Sequence, residues 1–184
     1  IDAIEDALHA TPRFDHRHTL QHCQMAGPAQ FRRMRELGIG ANLFSNHVYY
    51  WGDQHRDVTL GPDRAARINA AASAIREGIP IALHSDAPVT PLGPLLSMWC
   101  SVNRVTATGQ PLGPAERITP DQALHAVTLG AAWSMGLDDC VGSIEVGKYA
   151  DFTVLDEDPL DVEPSRLREI EIKGTVVGGE VFLN

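Results

Sequence analysis

Three short segments that are typical of strands alternate with helical segments in the first half of the chain, and this alternation limits the possible folds more than any other feature. The predicted strands cover residues 17–23, 39–44 and 80–84, of which the last two are mainly apolar, and helical patterns occupy residues 28–37 and 61–78 between them. Strands that are separated by helices and short connectors pair in parallel. The pattern therefore predicts an α/β architecture. Further helices are predicted over residues 1–10, 93–108 and 120–136.

The sequence after the second strand is predicted to be a long loop rich in polar and aromatic residues. It reads SNHVYYWGDQHRDVTLG and covers residues 45–61. Aromatic residues in a loop above a site commonly shape a pocket, so Tyr49, Trp51 and His55 are candidate substrate-binding residues. The same side chains could equally pack the loop against the protein, and both interpretations remain open at this point.

The character of the sequence changes after about residue 140, where β-branched residues and turn signals become frequent. The pair Gly178–Gly179 stands between TVV and EVFL and predicts a β-hairpin. We therefore expect residues 1–140 to form one α/β unit and residues 141–184 to form the strands of a small β domain.

The overall composition excludes several classes of function. A formal charge of −9 with no basic run argues against nucleic-acid binding. No apolar stretch approaches the ~18 residues of a membrane span, so no membrane association is expected. The three cysteines are scattered and odd in number, which is typical of a reducing compartment, and we expect the cytoplasm. The chain begins at Ile1 inside a helical pattern, from which we expect a piece of a longer protein.

Three side chains with metal-binding chemistry stand where the predicted parallel strands end. His22 ends the first strand, His47 lies just past the second, and Asp86 ends the third. The carboxyl ends of parallel strands converge at one edge of a sheet, so two imidazoles and a carboxylate are expected to meet there. Imidazole nitrogen and carboxylate oxygen are ligands of catalytic zinc-type sites. Each residue taken singly could instead be an ordinary hydrogen-bonded or exposed residue.

His84 precedes Asp86 by two residues and therefore shares its side of an extended strand. It is either a packed core histidine or a hydrogen-bonding partner one layer below the site. We include His84 with Tyr49, Trp51 and His55 among the candidate substrate-binding residues.

Five segments of the chain carry a recognisable pattern when they are taken in order: RHTLQHCQ, NLFSNHVYYWGD, HSDAPV with PLGPL, ITPDQALHAVTLGAAWSMGL and VGSIEVGKYADFTVLDEDPL. They resemble the carboxyl-terminal part of enzymes of the amidohydrolase superfamily, and most of all the amidohydrolase 3 branch, which includes N-substituted formamide deformylases. The first three resemble the segments of the strand-five histidine, the strand-six histidine and the strand-eight aspartate. The resemblance implies the carboxyl-terminal half of a TIM-type (β/α)8 barrel, with strands five to eight, followed by part of a small β-sandwich domain.

The resemblance also implies roles for the matched residues. His22 would be a metal ligand, and Asp86 would be a metal ligand that also carries the proton. His47 would be a ligand in a two-metal site or a group that polarises the substrate carbonyl in a one-metal site. One or two divalent ions, with zinc as the expected metal, would activate a water molecule. The expected activity is that of a metal-dependent hydrolase acting on non-peptide, amide-type carbon–nitrogen bonds of a small molecule.

The resemblance leaves parts of such a site outside this chain. The paired histidines of strand one and the bridging lysine or acidic residue of a middle strand have no counterpart here, so the amino-terminal part of the same enzyme is expected to complete the site. A further strand is expected between His47 and Asp86, with Val58–Leu60 as its only candidate. Two alternatives remain: a catalytically silent half-barrel that serves assembly, and a deaminase or isomerase of the same fold. Association of identical copies is left open.

Overall fold

The computed structural model describes residues 1–183 and contains two three-stranded sheets, the first of which is parallel and surrounded by helices. Strands β1 (Thr19–His22), β2 (Gly40–Leu43) and β3 (Ile81–Leu83) pair in the order β1–β2–β3. β2 and β3 are almost wholly buried, as near-continuously apolar strands of a parallel sheet are. The predicted mixed α/β architecture is confirmed.

Helices connect and cover the strands of the parallel sheet. They are α1 (Asp2–Ala10), α2 (Pro28–Glu36), α3 (Asn46–Gln54), α4 (Pro62–Ala65), α5 (Ala71–Arg76), α6 (Pro94–Asn103), α7 (Pro120–Val127) and α8 (Leu129–Met135). Proline opens α2, α4, α6 and α7, where the missing N–H would have no helical partner anyway. Thr119 and Gln122 form a reciprocal capping box at the start of α7. Within residues 1–183, no helix combines the length and the apolarity needed to cross a membrane.

One hydrophobic core lies between the parallel sheet and its helices. α2 contributes Phe31 and Met34, β2 contributes Ala41 and Leu43, and α6 contributes Met98, all of them almost fully buried. Burying one large apolar side chain stabilises a fold by about 1.5–3 kcal/mol. This packing fixes the strand ends, and so the side chains that follow them, relative to one another.

The second sheet is antiparallel and lies at the carboxyl-terminal side of the chain. Its strands β4 (Phe152–Leu155), β5 (Ile172–Val177) and β6 (Glu180–Leu183) pair in the order β4–β5–β6. Gly178 and Gly179 connect β5 to β6 with φ angles of 58° and 87°. A two-residue hairpin needs positive φ at such positions, so the predicted hairpin is confirmed.

The antiparallel sheet is joined to α6 through a helical turn, Pro164–Glu169. The guanidinium carbon of Arg168 lies 4.1 Å from the centre of the Trp99 ring, a cation–π geometry. The indole N–H of Trp99 donates to the carbonyl oxygen of Ser165 at 2.8 Å. These contacts tie the segment between β4 and β5 to α6. Asn184, the last residue of the predicted β domain, lies outside the described residues.

The prediction of a long loop over residues 45–61 is wrong. Asn46–Gln54 form α3, and His55–Thr59 continue it as a turn of π-helix. Gly52 is a loop signal in the sequence, yet it stands inside α3. A Cβ at this position would lie only 2.8 Å from Cγ2 of Thr106 and 3.0 Å from Cδ2 of Leu112, so close packing is the reason for the glycine.

The helix predicted over residues 61–78 is broken into α4 and α5. Asn69 lies between them with a φ of 47°, in the left-handed region that ends helices. The guanidinium of Arg104 donates to the carbonyl oxygens of Asn69 and Ile68 at 3.0 and 2.9 Å. These long-range hydrogen bonds stabilise the turn at Asn69, which the local sequence does not predict.

The helix predicted over residues 120–136 is also divided, into α7 and α8. The break falls at Thr128, whose φ and ψ of −117° and −92° are not helical. After the break, Gly130 packs so closely on β3 that a Cβ there would lie 2.2 Å from the carbonyl oxygen of Ile81. The division into α7 and α8 therefore accompanies direct contact between α8 and β3.

The further strand expected between His47 and Asp86 does not occur in the described part of the chain. Its candidate segment Val58–Leu60 lies in the π-helical turn and the bend that follows it. β2 and β3 pair directly, with Ala41 opposite Ile81, so no strand stands between them. Residues 1–140 therefore carry three parallel strands, one fewer than the resemblance implies.

Candidate active site

Two of the predicted site residues lie in unusual backbone where the parallel strands end. His22 is the last residue of β1 and has a φ of 60°, whereas Asp86 follows the end of β3 and has a φ of 51°. Residues other than glycine cost roughly 1–3 kcal/mol each in sparsely populated backbone regions, and such residues cluster at functional sites. Asp86 stands in the turn after β3 rather than at its end, which corrects the prediction.

His22 and Asp86 face each other at the carboxyl edge of the sheet. Nε2 of His22 lies 3.8 Å from Oδ2 of Asp86, and the two side chains are 43% and 39% exposed. Their strands are not neighbours, because β2 separates β1 from β3. The convergence of the strand ends that the sequence predicts is therefore present for this pair, and both groups are open to solvent.

His84 packs beside the pair and leaves one ring nitrogen without a partner. Its ring stands perpendicular to that of His22 at a centroid distance of 5.0 Å and stacks on Phe44 at 5.1 Å. Its Nε2 is buried and has no hydrogen-bond partner among residues 1–183. Burial, followed by the nearby His22, lowers the pKa of His84. Such an orphaned nitrogen is the kind of group that a water, a ligand or a metal satisfies.

His47 lies in the first turn of α3, with its ring against Phe44 and Trp51 at centroid distances of 4.6 Å each. Its Nδ1 lies 3.1 Å from Nε2 of His55. Burial, together with the nearby His55 and His22, lowers the pKa of His47 to about 4. The ring is therefore neutral at neutral pH and can act through a lone pair or an N–H group.

Gln24 belongs to the same cluster, although the sequence patterns did not single it out. The residue follows the end of β1, and its amide Nε2 lies 3.2 Å from Nε2 of His55 and 3.4 Å from Nδ1 of His47. A carboxamide two residues after a strand-end histidine was the signal available in the sequence. The signal is weak, because a carboxamide at this spacing is common in sequences and becomes informative only when two imidazoles lie beside it.

The candidate substrate-binding aromatic residues divide between two sides of α3. Trp51 stands one turn after His47 and contacts its ring, so it lines the cluster. Tyr49 instead packs on the hydrophobic core, with its ring 5.4 Å from that of Trp99 and 5.4 Å from the guanidinium of Arg168. For Tyr49 the packing interpretation is therefore favoured over substrate contact.

The donor set at the strand ends fits part of a divalent-metal site. Ligand atoms about 2.0–2.2 Å from a tetrahedral zinc ion are roughly 3.4 Å apart, and the 3.8 Å between His22 and Asp86 is near that span. The unpaired Nε2 of His84 belongs to a ring whose centre lies 5.0 Å from that of His22. No three histidine, cysteine or acidic side chains of residues 1–183 converge on one point, so His47 does not join the pair as a third ligand in this arrangement.

A cavity of about 360 Å³ lies beside the acidic group of the cluster. Its lining includes His84 and Asp86 together with the apolar side chains of Leu83, Leu92 and Val127. A larger cavity of about 520 Å³ lies at the other end of β3 and is lined by none of the candidate residues. We therefore take the smaller cavity as the one that serves the candidate site.

Known proteins resemble this chain over nearly its whole length. The family model described as "Amidohydrolase family" matches residues 1–182. The chain is similar to N-substituted formamide deformylase of Arthrobacter pascens, with 34% identity over 182 residues, which are 97% of this chain and 34% of that protein. The chain thus spans about a third of the length of this relative. The resemblance inferred from the sequence segments is confirmed.

Two solved structures share the fold. A metal-dependent hydrolase of Pyrococcus horikoshii superposes with a TM-score of 0.72 at 21% identity, covering 89% of this chain and 33% of that one. An adenosine deaminase of Xanthomonas campestris with bound zinc superposes with a TM-score of 0.64 at 21% identity, covering 90% of this chain and 36% of that one. At this identity the likeness shows the fold alone.

Proposed function

The chain belongs to the amidohydrolase family, and on that basis we propose that it forms part of a metal-dependent hydrolase acting on carbon–nitrogen bonds other than peptide bonds. One observation carries the proposal. An imidazole nitrogen of His22 and a carboxylate oxygen of Asp86 lie 3.8 Å apart, open to solvent, at the edge of a parallel sheet. The carboxyl ends of parallel strands are where enzymes of this architecture carry their catalytic groups.

The metal that we propose is a divalent ion, with zinc as the first candidate, held by His22 Nε2 and Asp86 Oδ2. The nitrogen and oxygen donors and the zinc in the deaminase of the same fold support this choice. When bound, such an ion supplies Lewis-acid polarisation of a carbonyl and lowers the pKa of an attacking water. Because the chain spans only a third of its relative, we propose that the remaining ligands come from other parts of a longer polypeptide.

The strand pairing changes the proposed position of His22 in the barrel. The resemblance places Asp86 after strand eight, and β3, β2 and β1 are successive neighbours in the sheet. Counting back from β3 makes β2 strand seven and β1 strand six. His22 would then be the strand-six histidine, and the strand-five ligand would lie outside this chain.

The residues of this chain can carry the acid–base part of the reaction. The Asp86 carboxylate, at one of its two oxygens, would accept a proton from the attacking water and then release it to the leaving nitrogen. Leu83, Leu92 and Val127 of the adjoining cavity, and Trp51 beside His47, offer apolar surface to a substituent on that nitrogen. This arrangement suits a small amide with an apolar group, and the name of the deformylase makes N-substituted formamides the first substrates to test.

The oxidation state of the cysteines is relevant to the cellular location that we propose. Cys23, Cys100 and Cys140 are all free. Free thiols of this kind are ordinary in a reducing compartment, which supports the proposal of a cytoplasmic location.

The test uses the full natural polypeptide, purified and analysed for metal by plasma mass spectrometry. It is then assayed against a panel of N-substituted formamides for release of formate and amine. We expect at least one equivalent of metal, and hydrolysis that falls by about 10³-fold or more in Asp86→Asn, a loss of roughly 4 kcal/mol of transition-state stabilisation. Asp6→Asn, an exposed carboxylate on α1, is the matched control and should keep wild-type activity.

Two results would contradict the proposal. Hydrolysis that survives Asp86→Asn at more than a few per cent would remove the proton-carrying role from that residue. Release of ammonia from amino-heterocycles, with no cleavage of any amide, would identify a deaminase instead of an amide hydrolase.

A further inference from the structure

A chain of hydrogen-bonding groups runs along the α3 side of the candidate site. Nδ1 of His47 lies 3.1 Å from Nε2 of His55, and Nδ1 of His55 lies 3.0 Å from Oγ1 of Thr59. Gln24 Nε2 lies within 3.4 Å of both His47 and His55. The π-helical turn His55–Thr59 brings the second histidine and the threonine together, and such turns are frequent at functional sites.

Both ring nitrogens of His55 are used within this chain of groups. Nε2 faces His47 and Gln24, and Nδ1 faces Thr59. A neutral imidazole has one N–H donor and one acceptor nitrogen, so none is left for a substrate. The contacts of His55 therefore point to a role behind His47 rather than to the substrate contact expected from the sequence.

The proton positions follow from what each group can do. The contact between the two rings can run in either direction, because Thr59 Oγ1 can accept from or donate to Nδ1 of His55. Donation from His47 Nδ1 to His55 Nε2 is favoured, because the amide nitrogen of Gln24 can only donate and its shorter contact, at 3.2 Å, is with the same His55 nitrogen. The one lone pair of that nitrogen is then shared by the two donors, and His55 donates from Nδ1 to the hydroxyl oxygen of Thr59. In this arrangement every N–H between the rings has an acceptor. The Nε2 of His47 carries the lone pair and makes no hydrogen bond within the described residues.

We infer that His55, oriented by Gln24 and Thr59, is a positioning residue that holds His47 as the Nδ1-protonated tautomer and leaves its Nε2 lone pair for the active site. This inference rests on the proposed function and deepens it, because His47 would then present an acceptor. It could bind an electrophilic centre or receive a proton. It could not donate a hydrogen bond to a carbonyl from Nε2.

The backbone keeps Gln24 in place for this role. Its carbonyl oxygen accepts from the N–H of Asn69 at 2.9 Å, and Asn69 is itself held by Arg104. The side chain that orients His55 is therefore anchored to a rigid turn. Outer partners of this kind fix the tautomer and the direction of a histidine that acts at a site.

The test reads the tautomer directly, by long-range 15N–1H correlation of the full natural polypeptide labelled at its histidines. The variants are His55→Phe, which removes the acceptor, His55→Gln, whose amide oxygen restores it, and the exposed His9→Gln as control. We expect His47 to be Nδ1-protonated in the wild type, His9→Gln and His55→Gln, and largely Nε2-protonated in His55→Phe. The kcat for a formamide substrate should fall about 10- to 100-fold in His55→Phe with KM changed less than about threefold.

Several outcomes would overturn the inference. The inference fails if His47 of the wild type is protonated at Nε2. It also fails if the tautomer of His47 is the same in His55→Phe as in the wild type. A raised KM with unchanged kcat in His55→Phe would indicate that His55 contacts the substrate, as the sequence predicts, and does not position His47. If His55→Phe does not fold, Thr59→Val removes only the hydroxyl oxygen and should still mix the tautomers of His47. If no formamide is cleaved at all, the proposed function fails while the tautomer result stands by itself.

Discussion

Arg104 is a buried polar side chain and His84 a half-buried one, but only Arg104 has a hydrogen-bond partner at each of its side-chain nitrogens. Arg104 is 1% exposed, and its guanidinium donates to the carbonyl oxygens of Leu112, Asn69 and Ile68 at 2.9 to 3.0 Å. Burial lowers its pKa to about 10, so it stays charged at neutral pH. His84 has a buried Nε2 with no partner in residues 1–183.

The difference separates two reasons for burying a polar group. A guanidinium that bonds three carbonyl oxygens holds the turn between α4 and α5 and the loop that follows α6, which is an architectural role. An unpaired nitrogen beside an exposed imidazole–carboxylate pair costs about 1–3 kcal/mol and stabilises nothing in the chain itself. The second kind of burial is the one expected where a site awaits a ligand.

The largest effect should come from Arg104→Met, which keeps the bulk of the side chain and removes its donors. Three carbonyl oxygens would then lose their guanidinium donor, and of these the oxygen of Asn69 keeps the N–H of Ala71 as a donor. We expect the free energy of unfolding to fall by about 3–5 kcal/mol. Urea-induced unfolding of the full natural polypeptide, followed by circular dichroism, measures this. Arg13→Met, an exposed arginine, is the control and should change the free energy of unfolding by less than ~0.5 kcal/mol. If Arg104→Met also changed the free energy of unfolding by less than ~0.5 kcal/mol, Arg104 would have no structural role that distinguishes it from His84.

The pH dependence of the free energy of unfolding should come from the half-buried histidines and not from Arg104. Burial lowers the pKa of His47 to about 4 and also lowers those of His84 and His55, whereas an unfolded histidine titrates near 6.5. The unfolded state then binds more protons between these values, so the free energy of unfolding is full above about pH 6.5 and decreases as the pH falls toward 4. The slope is at most ~1.4 kcal/mol per pH unit for each group.

Urea titrations of the metal-free protein between pH 5.0 and 7.5 measure that slope, in a range where Arg104 does not titrate. In His84→Phe the slope should be smaller than in the wild type, and in His9→Gln it should be unchanged. A free energy of unfolding that stays constant over this range would show that the buried rings carry no such linkage.

The smallest effect should be that of His84→Phe on stability at pH 7.5. Phenylalanine keeps the stacking on Phe44 and removes the unpaired Nε2. We expect the free energy of unfolding to stay the same or to rise by up to ~1 kcal/mol, because the desolvation cost of the nitrogen disappears. A loss of 2 kcal/mol or more, measured in the same urea experiment, would mean that His84 is as architectural as Arg104.

The parts of the fold that were predictable are those whose signal is local. Short, mainly apolar runs next to glycine and proline placed β2 and β3, and the alternation of strand and helix placed β1. The rule that parallel strands end at one edge placed His22 near Asp86. The roles assigned to these two residues remain predictions.

The parts that were missed depend on contacts between distant segments. Gly52 marks close packing of α3 on Thr106 and Leu112, which no local pattern encodes. The division between α4 and α5 depends on Arg104, 35 positions after Asn69 in the chain. Gln24 likewise acquires its meaning only when α3 and its π-helical turn bring two histidines beside it.

The parallel sheet has one further consequence, for synthesis of the protein. Its strands are ordered in space as they are in the chain, so each strand that leaves the ribosome can add to the free edge of the strand made before it. No strand has to insert between two that are already paired. A pause in translation after β2 would leave the edge of β2, on which β3 later pairs, with unpaired backbone N–H and C=O groups.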